Sequence, residues 1–309
     1  IKSKIHAECI RILVDLTNLV KEYLPDLENC EKIMTEIDFH LAKARYAVKL
    51  HAVEPEITQE KYIYFENMKH PLLMQVTEDV VANNFEIGKD YKSVIITGSN
   101  TGGKTVTLKT IGLFILMAKA GMFLPCTYAK LYPFKDVFAD IGDSQSILQS
   151  LSTFSAHMTN IIEILNKSSE ESFVLLDEVC AGTDPVEGAV LARGILEKLA
   201  QKQVTSVITT HYGELKALEY TNSFFKNASV EFNTETLKPT YKLLIGIPGL
   251  SNAISIASNL GLDPDIVNKA KTTLVTQKDP TVAVVEKLQE THQELSKNLE
   301  EAQELKESS

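Results

Sequence analysis

The sequence predicts an α/β fold in which short buried strands alternate with helices. Apolar runs of strand length lie at residues 94–97, 173–176 and 204–209. Two further stretches carry apolar side chains at helical spacing, from Val106 to Ala120 and from Val186 to Lys202, and each follows one of these runs. This alternation is typical of an open sheet with helices packed on its faces.

The composition is that expected of a soluble globular protein. Of the 309 residues, 44% are hydrophobic and 23% are charged. This length allows one large α/β domain with a helical appendage, or two domains. No apolar run approaches the roughly 20 residues that cross a bilayer, so we expect no membrane contact. The first residues include neither a Met nor a signal-peptide pattern, which suggests part of a longer chain.

Cysteine spacing and net charge limit the partners. Cys9, Cys30, Cys126 and Cys180 form no Cys-x-x-Cys pair, so we expect neither a zinc site nor a disulfide framework. A reducing cytosol, and hence a cytoplasmic protein, fits them best. The net charge is −10, whereas a surface that grips nucleic-acid phosphate is normally basic. If the protein acts on nucleic acid, we expect the gripping parts to lie outside this chain.

Two helices are predicted at the N-terminus. Residues 4–24 place apolar side chains three or four apart, and Pro25-Asp26 interrupts the pattern. A second helix is predicted from Leu27 to His51, and two long helices joined by a tight turn would form an antiparallel hairpin. The hairpin would be either a packing subdomain or a lever that transmits motion.

The segment before the first buried strand has no long periodic pattern. Alternation from about Val80 to Ile87 predicts one strand. His70 stands beside Pro71, so we interpret it as a turn residue rather than a ligand.

A glycine-rich loop joins the first buried strand to its helix. Gly98-Ser-Asn-Thr-Gly-Gly103-Lys104-Thr105 has the Gly-x-x-x-x-Gly-Lys-Thr pattern of a phosphate-binding loop. Its glycines permit backbone angles that a Cβ would obstruct, and its N–H groups would face an anion at the helix N-terminus. Lys104 would bind the β- and γ-phosphates, and Thr105 would ligate Mg²⁺. The predicted nucleotide-binding residues are Gly98, Ser99, Asn100, Thr101, Gly102, Gly103, Lys104, Thr105 and Val106.

Two carboxylates follow the second buried strand. Ligands of open α/β sheets bind beyond the carboxyl ends of strands, so Asp177 would hold Mg²⁺ directly or through water. Glu178 would orient or deprotonate the attacking water. An apolar run that ends in Asp-Glu is common, but together with the phosphate loop it predicts a hydrolytic NTP site. His211, after the third strand, would then reach the γ-phosphate instead of serving as an ordinary loop histidine.

A polar segment from Gly142 to Ser155 precedes a helix predicted from about Thr153 to Leu165. Ser and Thr residues immediately before a helix usually cap it, and the residues alone favour that interpretation.

Further along, a hairpin is predicted between Phe224 and Ile245, followed by a turn and a short helix at 253–260. From Val285 the apolar spacing becomes heptad, which predicts either a coiled coil or an isolated solvated helix.

These motifs together resemble those of the MutS ATPases, most closely the bacterial second class, MutS-II. The resemblance rests on Thr97–Thr105, Asp140–Met158, Leu175–Glu178, Ala181–Pro185, Thr209–Lys216 and Ile247–Ala253. It implies a P-loop NTPase of the ABC type, with a mixed sheet flanked by helices, an N-terminal helical hairpin and a C-terminal helical tail. The implied domains are the end of the lever helices at 1–55, the ATPase domain at 56–275, and a helical or coiled-coil tail at 276–309.

The family also implies two composite sites in a homodimer formed through the ATPase domains, with ATP and Mg²⁺ as cofactors. Lys104, Glu178 and His211 would be catalytic, and Thr105 and Asp177 would bind the metal. Ser150, Ser152 and Thr153 would reach the nucleotide of the partner, which reverses the capping interpretation, because a helix N-terminus attracts a γ-phosphate. Asn100 would shape the loop, and Asp184 would lie on the dimer contact.

Two positions depart from the family pattern. Ser99 stands where Pro is usual, which should be tolerated. Cys180 stands where Gly is usual, so its side chain would alter the turn or make the site sensitive to oxidation. We expect a thiol-alkylating reagent to slow turnover.

The implied function is that of an ATP-driven mechanoenzyme that clamps or remodels a nucleic-acid substrate, either branched recombination DNA or the rRNA-containing stalled ribosome. Most substrate contacts, and the nuclease-like Smr domain of the family, would lie outside this chain. A transporter cassette is disfavoured, because Thr105 to Ser150 leaves little room for its helical subdomain. A nucleotide-gated dimerisation scaffold with little turnover is the alternative, although the Asp177-Glu178 pair favours turnover.

Overall fold

The structure is a computed structural model that describes residues 1–98, 103–142, 150–233, 238–249 and 253–277, together with residue 291. The chain divides into two compact units, residues 1–51 and residues 52–309. Among the helices that these ranges contain, none combines the length and the apolar character of a membrane span.

The first unit consists of helices α1 (Lys2–Lys21) and α2 (Leu24–Lys49). Both predicted helices are confirmed, but α2 begins before Pro25, because proline is tolerated in the first turn of a helix. Neither helix has a buried residue, whereas an antiparallel pair would bury its facing apolar stripes. The expected face-to-face packing of a hairpin is therefore not observed. Glu22 and Tyr23 keep φ values of −65° and −95°, so no left-handed residue reverses the chain between the helices.

The described residues of the second unit form ten strands in two sheets. In chain order they are β1 (Glu56–Ile57), β2 (Ile63–Met68), β3 (Asn83–Ile87), β4 (Ser93–Thr97), β5 (Tyr128–Leu131), β6 (Asp136–Asp140), β7 (Ser172–Leu176), β8 (Thr205–Thr210), β9 (Phe225–Asn233) and β10 (Lys238–Ile245). The smaller sheet has the order β1-β5-β2-β3, and the larger has the order β10-β9-β4-β8-β7-β6. All neighbours in the larger sheet are parallel except β9 and β10, so the predicted mixed sheet is confirmed.

Six α-helices accompany these sheets in the part of the chain that the structure describes. They are α3 (Lys104–Lys119), α4 (Ser150–Lys167), α5 (Pro185–Gln201), α6 (Leu218–Thr221), α7 (Ala253–Asn259) and α8 (Pro264–Gln277). The helices predicted after the first two buried strands are confirmed as α3 and α5. The hairpin predicted near the C-terminus is confirmed as β9 and β10, and the short helix is confirmed as α7. The heptad stretch from Val285 lies outside the described residues, apart from residue 291.

The central strands of the larger sheet are buried on both faces, which explains why their sequences are continuous apolar runs. Every residue of β4, β7 and β8 is buried. One face is covered by α4 and α5 through residues such as Ile161, Ala192 and Leu196. Gly112 of α3 lies against Leu175 of β7, where a Cβ would stand 2.6 Å from Leu175 Cδ1. Helices on the sheet leave its strand ends as the place for a site.

Candidate functional site

The carboxyl ends of β4, β7 and β8 meet at one edge of the larger sheet. These strands are parallel, with Thr97 opposite Thr210 and Leu176 opposite Ile208. The residues that follow them, Gly98, Asp177 and His211, therefore lie at the same edge. Sequence motifs that are far apart along the chain are thus gathered in one place.

The two ends of the phosphate loop have the geometry that glycine permits. Gly98 has φ 133° and Gly103 has φ 92°, both in the region that side chains disfavour. Gly103 is the N-cap of α3, so the described end of the loop leads directly into the helix N-terminus. Four predicted nucleotide-binding residues, Ser99, Asn100, Thr101 and Gly102, lie outside the described residues.

Lys104 is buried at the start of α3, with a relative exposure of 2%. Its Nζ donates to the Gly98 carbonyl oxygen at 2.6 Å, so the side chain folds back toward the beginning of the loop. Burial lowers the pKa of Lys104, while the nearby carboxylates of Glu178 and Asp177 act in the opposite direction. A buried ammonium group in this position favours an anionic ligand, because added negative charge offsets the cost of burial.

Thr105 and Asp177, the two predicted metal ligands, are in contact. Thr105 Oγ1 lies 3.2 Å from Asp177 Oδ1. The main-chain N–H of Asp177 donates to the Asp140 carbonyl oxygen at 2.9 Å, which extends the ladder between β6 and β7 beyond the last strand residue. A carboxylate and a hydroxyl are the hard oxygen donors that Mg²⁺ prefers, so this pair fits the predicted ion.

Glu178 and Cys180 both adopt left-handed backbone conformations, with φ 47° and φ 60°. For residues other than glycine this costs about 1–2 kcal/mol each. The turn is stabilised by Tyr212, whose hydroxyl donates to the Cys180 carbonyl oxygen at 2.8 Å. Such strain persists only where the surrounding structure fixes the backbone, and it is concentrated at functional sites.

The environment of Cys180 argues against the expected sensitivity to thiol reagents. The residue is only 5% exposed. Burial raises the pKa of its thiol to about 11, and the Asp140 carboxylate adds to this effect. Since the thiolate is the reactive form, a buried and protonated thiol reacts slowly. The other expectation is that the Cys180 side chain alters the turn. Cys180 has a positive φ, which is the conformation that favours glycine, so the position is one where glycine would fit without strain.

His211 is exposed and directly follows β8, and its ring centroid lies 4.3 Å from that of Tyr212. It is therefore accessible to a ligand at the sheet edge.

Asp184 has a clear local role, because its Oδ1 accepts from the main-chain N–H groups of Val186 and Glu187 at 2.9 and 3.1 Å. This makes Asp184 the N-cap of α5. Its predicted place on a dimer contact stays a prediction.

Helix α4 begins at Ser150, three residues earlier than predicted. Ser152 and Thr153 consequently lie within the first helical turn, and the interpretation of these two residues as caps that precede the helix is wrong. The side chains of Ser150, Ser152 and Thr153 lie outside what the structure describes. Their predicted reach toward a partner's nucleotide stays a prediction.

Three residues to which no sequence motif assigned a role fix α4 to the sheet. The Asp140 carboxylate accepts from Asn160 Nδ2 at 2.8 Å and lies 2.9 Å from His157 Nδ1. Asp140 ends β6, and the other two residues lie one turn apart on α4. The relation between them depends on how the helix crosses the sheet edge, which no local pattern specifies.

A cavity of about 330 Å³ adjoins the phosphate loop. Its lining includes Val80, Val81, Gly103, Val106 and Tyr241. Gly103 lies against the Tyr241 ring, where a Cβ would stand 2.8 Å from Tyr241 Cδ1. An apolar cavity with an aromatic wall beside a phosphate loop has the shape and chemistry to take a nucleotide base.

Asn83 holds the strand that carries Tyr241. Its Nδ2 donates to the Tyr241 carbonyl oxygen at 2.9 Å, and its Oδ1 accepts from the Leu243 N–H at 2.6 Å. The register of β10 shifts between Pro239 and Leu243, and Tyr241 has φ 60°. A side-chain amide thus satisfies two main-chain groups that the irregular strand leaves unpaired.

His70, which also lines the cavity, accepts from the Leu72 N–H at 3.2 Å, so its interpretation as a turn residue is confirmed.

Comparison with known proteins identifies the family. The model of MutS domain V matches residues 94–278. Among curated relatives named Endonuclease MutS2, that of Geobacillus sp. (strain WCH70) is 51% identical over 284 residues, covering 92% of this chain and 36% of the relative. The protein of Caldicellulosiruptor saccharolyticus is 46% identical over 307 residues, covering 99% and 39%. That of Clostridioides difficile is 44% identical over 301 residues, covering 97% and 38%. The chain therefore spans a little over a third of the length of these relatives.

Proposed function

The chain belongs to the MutS family, and from that premise we propose that it binds ATP with Mg²⁺ at the edge formed by β4, β7 and β8, and hydrolyses it. The observation that carries the proposal is the contact between Thr105 and Asp177 beside the buried Lys104. It joins the start of the helix after the phosphate loop to the acidic end of a neighbouring strand. This is the arrangement that an ion bridging protein and nucleotide phosphates requires.

The phosphates would lie at the N-terminus of α3. There the main-chain N–H groups at the end of the loop and the helix dipole favour negative charge. Lys104 would move from the Gly98 carbonyl oxygen to the phosphate oxygens, exchanging a neutral acceptor for a charged one. Charge-assisted hydrogen bonds are about twice as strong as neutral ones, so the exchange favours binding.

Thr105 and Asp177 would hold Mg²⁺. When bound, the ion supplies charge neutralisation for the phosphates. Glu178 would accept the proton of the attacking water, and His211 would contact the transferred phosphoryl group from the end of β8. The strained turn at Glu178 supports this assignment, since a left-handed backbone that its neighbours hold sets the direction in which the Glu178 side chain leaves the chain.

The base would occupy the cavity beside Gly103. Its apolar lining from Val80, Val81 and Val106 and its aromatic wall from Tyr241 support a planar heterocycle. The cavity thus continues the site from the phosphates toward the nucleoside.

The proposal extends to the longer protein to which such a chain would belong. We propose a homodimer through the ATPase domains, with Ser150, Ser152 and Thr153 facing the partner's nucleotide. Exposed apolar side chains at Val186 and Val190 on α5, 73% and 68% exposed, support contact with a second copy near Asp184.

The proposed work of that protein is ATP-driven clamping or remodelling of a nucleic-acid substrate, either branched DNA or a stalled ribosome. The net charge of −10 supports contacts that lie mainly outside this chain. The relatives' names specify an endonuclease, an activity that we assign to parts of the longer protein that this chain does not include.

The test is phosphate release from ATP by the wild-type chain, Glu178→Gln and Lys104→Ala. Glu197→Gln on the exposed face of α5 is the matched control, because its carboxylate pairs only with a neighbouring arginine among the described contacts. We expect both site variants to lose more than about 100-fold in rate and the control to retain it. Glu178→Gln should still bind ATP and accumulate an ATP-dependent dimer in analytical ultracentrifugation. Nucleotide binding without hydrolysis by the wild type would favour the dimerisation scaffold instead.

A further inference from the structure

We propose that Thr209 is a positioning residue of the hydrolytic site, whose hydroxyl holds the Asp177 carboxylate and the Glu178 main chain in one fixed arrangement. The inference rests on the proposed ATP hydrolysis and adds a residue that the motifs do not assign. Thr209 is buried in β8, one strand away from both acids.

The contacts of Thr209 use its hydroxyl as donor and acceptor at once. Oγ1 donates to Asp177 Oδ1 at 2.5 Å and accepts from the Glu178 N–H at 2.8 Å. A hydroxyl has a single proton, which Thr209 donates to the Asp177 carboxylate. A lone pair on the same oxygen remains to accept from the Glu178 N–H. One side chain therefore links two consecutive residues whose carboxylates have different proposed tasks.

A third contact comes from the main chain of Thr209. Its carbonyl oxygen accepts from the Val179 N–H at 3.3 Å. Residues 177–179 are thus tied to β8 by one side-chain donor, one side-chain acceptor and one main-chain acceptor. Removal of the hydroxyl eliminates the first two bonds and leaves the third, so the turn would remain attached to the sheet but would be less tightly fixed.

The left-handed conformation of Glu178 makes this fixation important. A non-glycine residue at φ 47° relaxes unless its neighbours hold it. The Thr209 hydroxyl holds the amide of that residue and, through Asp177, the direction of the preceding side chain. Because the hydroxyl is neutral, it orients the metal-binding carboxylate without adding a positive charge that would repel Mg²⁺.

Thr209 is therefore expected to act on the chemical step and on Mg²⁺ more than on ATP affinity. It touches neither the phosphate loop nor the proposed base cavity among the described contacts. Its loss would misdirect the carboxylates while Lys104 and the helix N-terminus still bind phosphate. Small errors in the placement of catalytic groups lower kcat strongly, by about 10- to 100-fold.

The experiment compares Thr209→Val, which keeps the shape and removes the hydroxyl, with Thr209→Ser, which keeps the hydroxyl. The measurements are kcat, KM for ATP, the Mg²⁺ concentration for half-maximal rate, and Tm. We expect Thr209→Val to lose about 10- to 100-fold in kcat, to need at least about threefold more Mg²⁺, and to keep KM within about twofold. Thr209→Ser should recover kcat to within about threefold of the wild type.

Thr205→Val is the matched control. Thr205 lies in the same strand and is equally buried, but its hydroxyl has no hydrogen-bond partner among the described residues. Its replacement should leave kcat, KM and the Mg²⁺ requirement unchanged. A general effect of a β8 substitution on the sheet would appear in both variants.

The outcomes separate this inference from the proposed function. An active wild type together with a Thr209→Val variant of unchanged kcat and Mg²⁺ requirement would overturn the role of Thr209 alone. A folded wild type that releases no phosphate would overturn the proposed hydrolysis instead. If Thr209→Val does not fold, Thr209→Ala is compared with Thr209→Ser instead. Equal losses of kcat in these two variants would overturn the inference. A loss in Thr209→Ala with recovery in Thr209→Ser would support it.

Discussion

The Asp140 carboxylate and the His157 imidazole meet at 2.9 Å and join the end of β6 to α4. The carbonyl oxygen of Asp140 also accepts from the Asp177 N–H at 2.9 Å. A single residue therefore contacts both the proposed metal-binding strand end and the helix that begins at Ser150. Asp140 therefore links α4 to the strand end that precedes Asp177.

Replacement of Asp140 should loosen this junction. Asp140→Ala removes the acceptor for the half-buried side chains of His157 and Asn160, and the loss of hydrogen bonds to a charged group costs about 1.5–3 kcal/mol. The free energy of unfolding from urea titration measures this loss. Asp136→Ala at the other end of β6 is the control, and an equal loss there would show that the effect belongs to the strand rather than to the junction.

Gly249 supports the start of the phosphate loop by close backbone approach. Its N–H donates to Thr97 Oγ1 at 2.7 Å, and a Cβ would stand 2.4 Å from the Thr97 carbonyl oxygen and 2.8 Å from the Gly98 nitrogen. These neighbours are backbone atoms and cannot rotate away. Gly249→Ala should displace the loop and weaken ATP binding by more than about tenfold, measured with a fluorescent ATP analogue.

Gly194→Ala is the control for that substitution, because a Cβ on Gly194 meets nothing within 4 Å and the residue lies inside α5. It should leave ATP affinity unchanged and raise the free energy of unfolding by about 0.5–1 kcal/mol. Unchanged ATP affinity in Gly249→Ala would contradict the proposed coupling between that residue and the loop.

Asn83 should affect nucleotide affinity, because it lines the cavity and fixes the irregular part of β10 that carries Tyr241. Asn83→Ala leaves the Tyr241 carbonyl oxygen and the Leu243 N–H without their partner. We expect a loss of about 3- to 10-fold in ATP affinity, measured by isothermal titration calorimetry. Asn84→Ala, which among the described contacts removes an exposed bond to the Asn67 N–H, should bind ATP like the wild type. Equal affinities in both variants would exclude Asn83 from this role.

Alkylation should distinguish the four cysteines. Cys9 and Cys30 are exposed, whereas Cys126 and Cys180 are buried. Burial raises the pKa of Cys126 to about 12 and that of Cys180 to about 11, so near neutral pH both are almost entirely protonated and unreactive. With iodoacetamide at pH 8, peptide mass mapping should show modification of the buried pair more than about tenfold slower, with a rate that increases as pH rises. Rapid labelling of Cys180 in the folded protein would restore the expectation of a thiol-sensitive site.

Features of this fold that depend on neighbouring residues could be predicted from the sequence, and features that depend on contacts between distant residues could not. The apolar runs of β4, β7 and β8 and the helices α3 and α5 were predictable, because continuous burial and helical spacing are written into consecutive residues. The packing of α1 and α2 was not, because Pro25 can either break a helix or begin one, and the backbone of Tyr23 decides between these.

The same distinction applies to the candidate site. Lys104, Thr105, Asp177 and Glu178 could be selected from the sequence, because loop glycines and strand-terminal acids form local motifs. The roles of Thr209, Asp140 and Asn83 could not be assigned in this way, although the first two begin motifs of the resemblance, because each acts on a residue that is remote in the chain. The role of Thr209 follows only from the pairing of β7 with β8, which brings its hydroxyl to residues 177 and 178.

The sequence by itself determined which segments are strands and helices, where an anionic ligand would bind and which acids would serve it, because hydrophobic periodicity and loop chemistry act between neighbours along the chain. Only the tertiary structure decided which hydroxyl, amide and carboxylate orient those acids and support that loop. The physical reason is that hydrogen bonds are short and directional, so partners that are tens of residues apart are chosen by strand register and helix placement, which the whole fold sets.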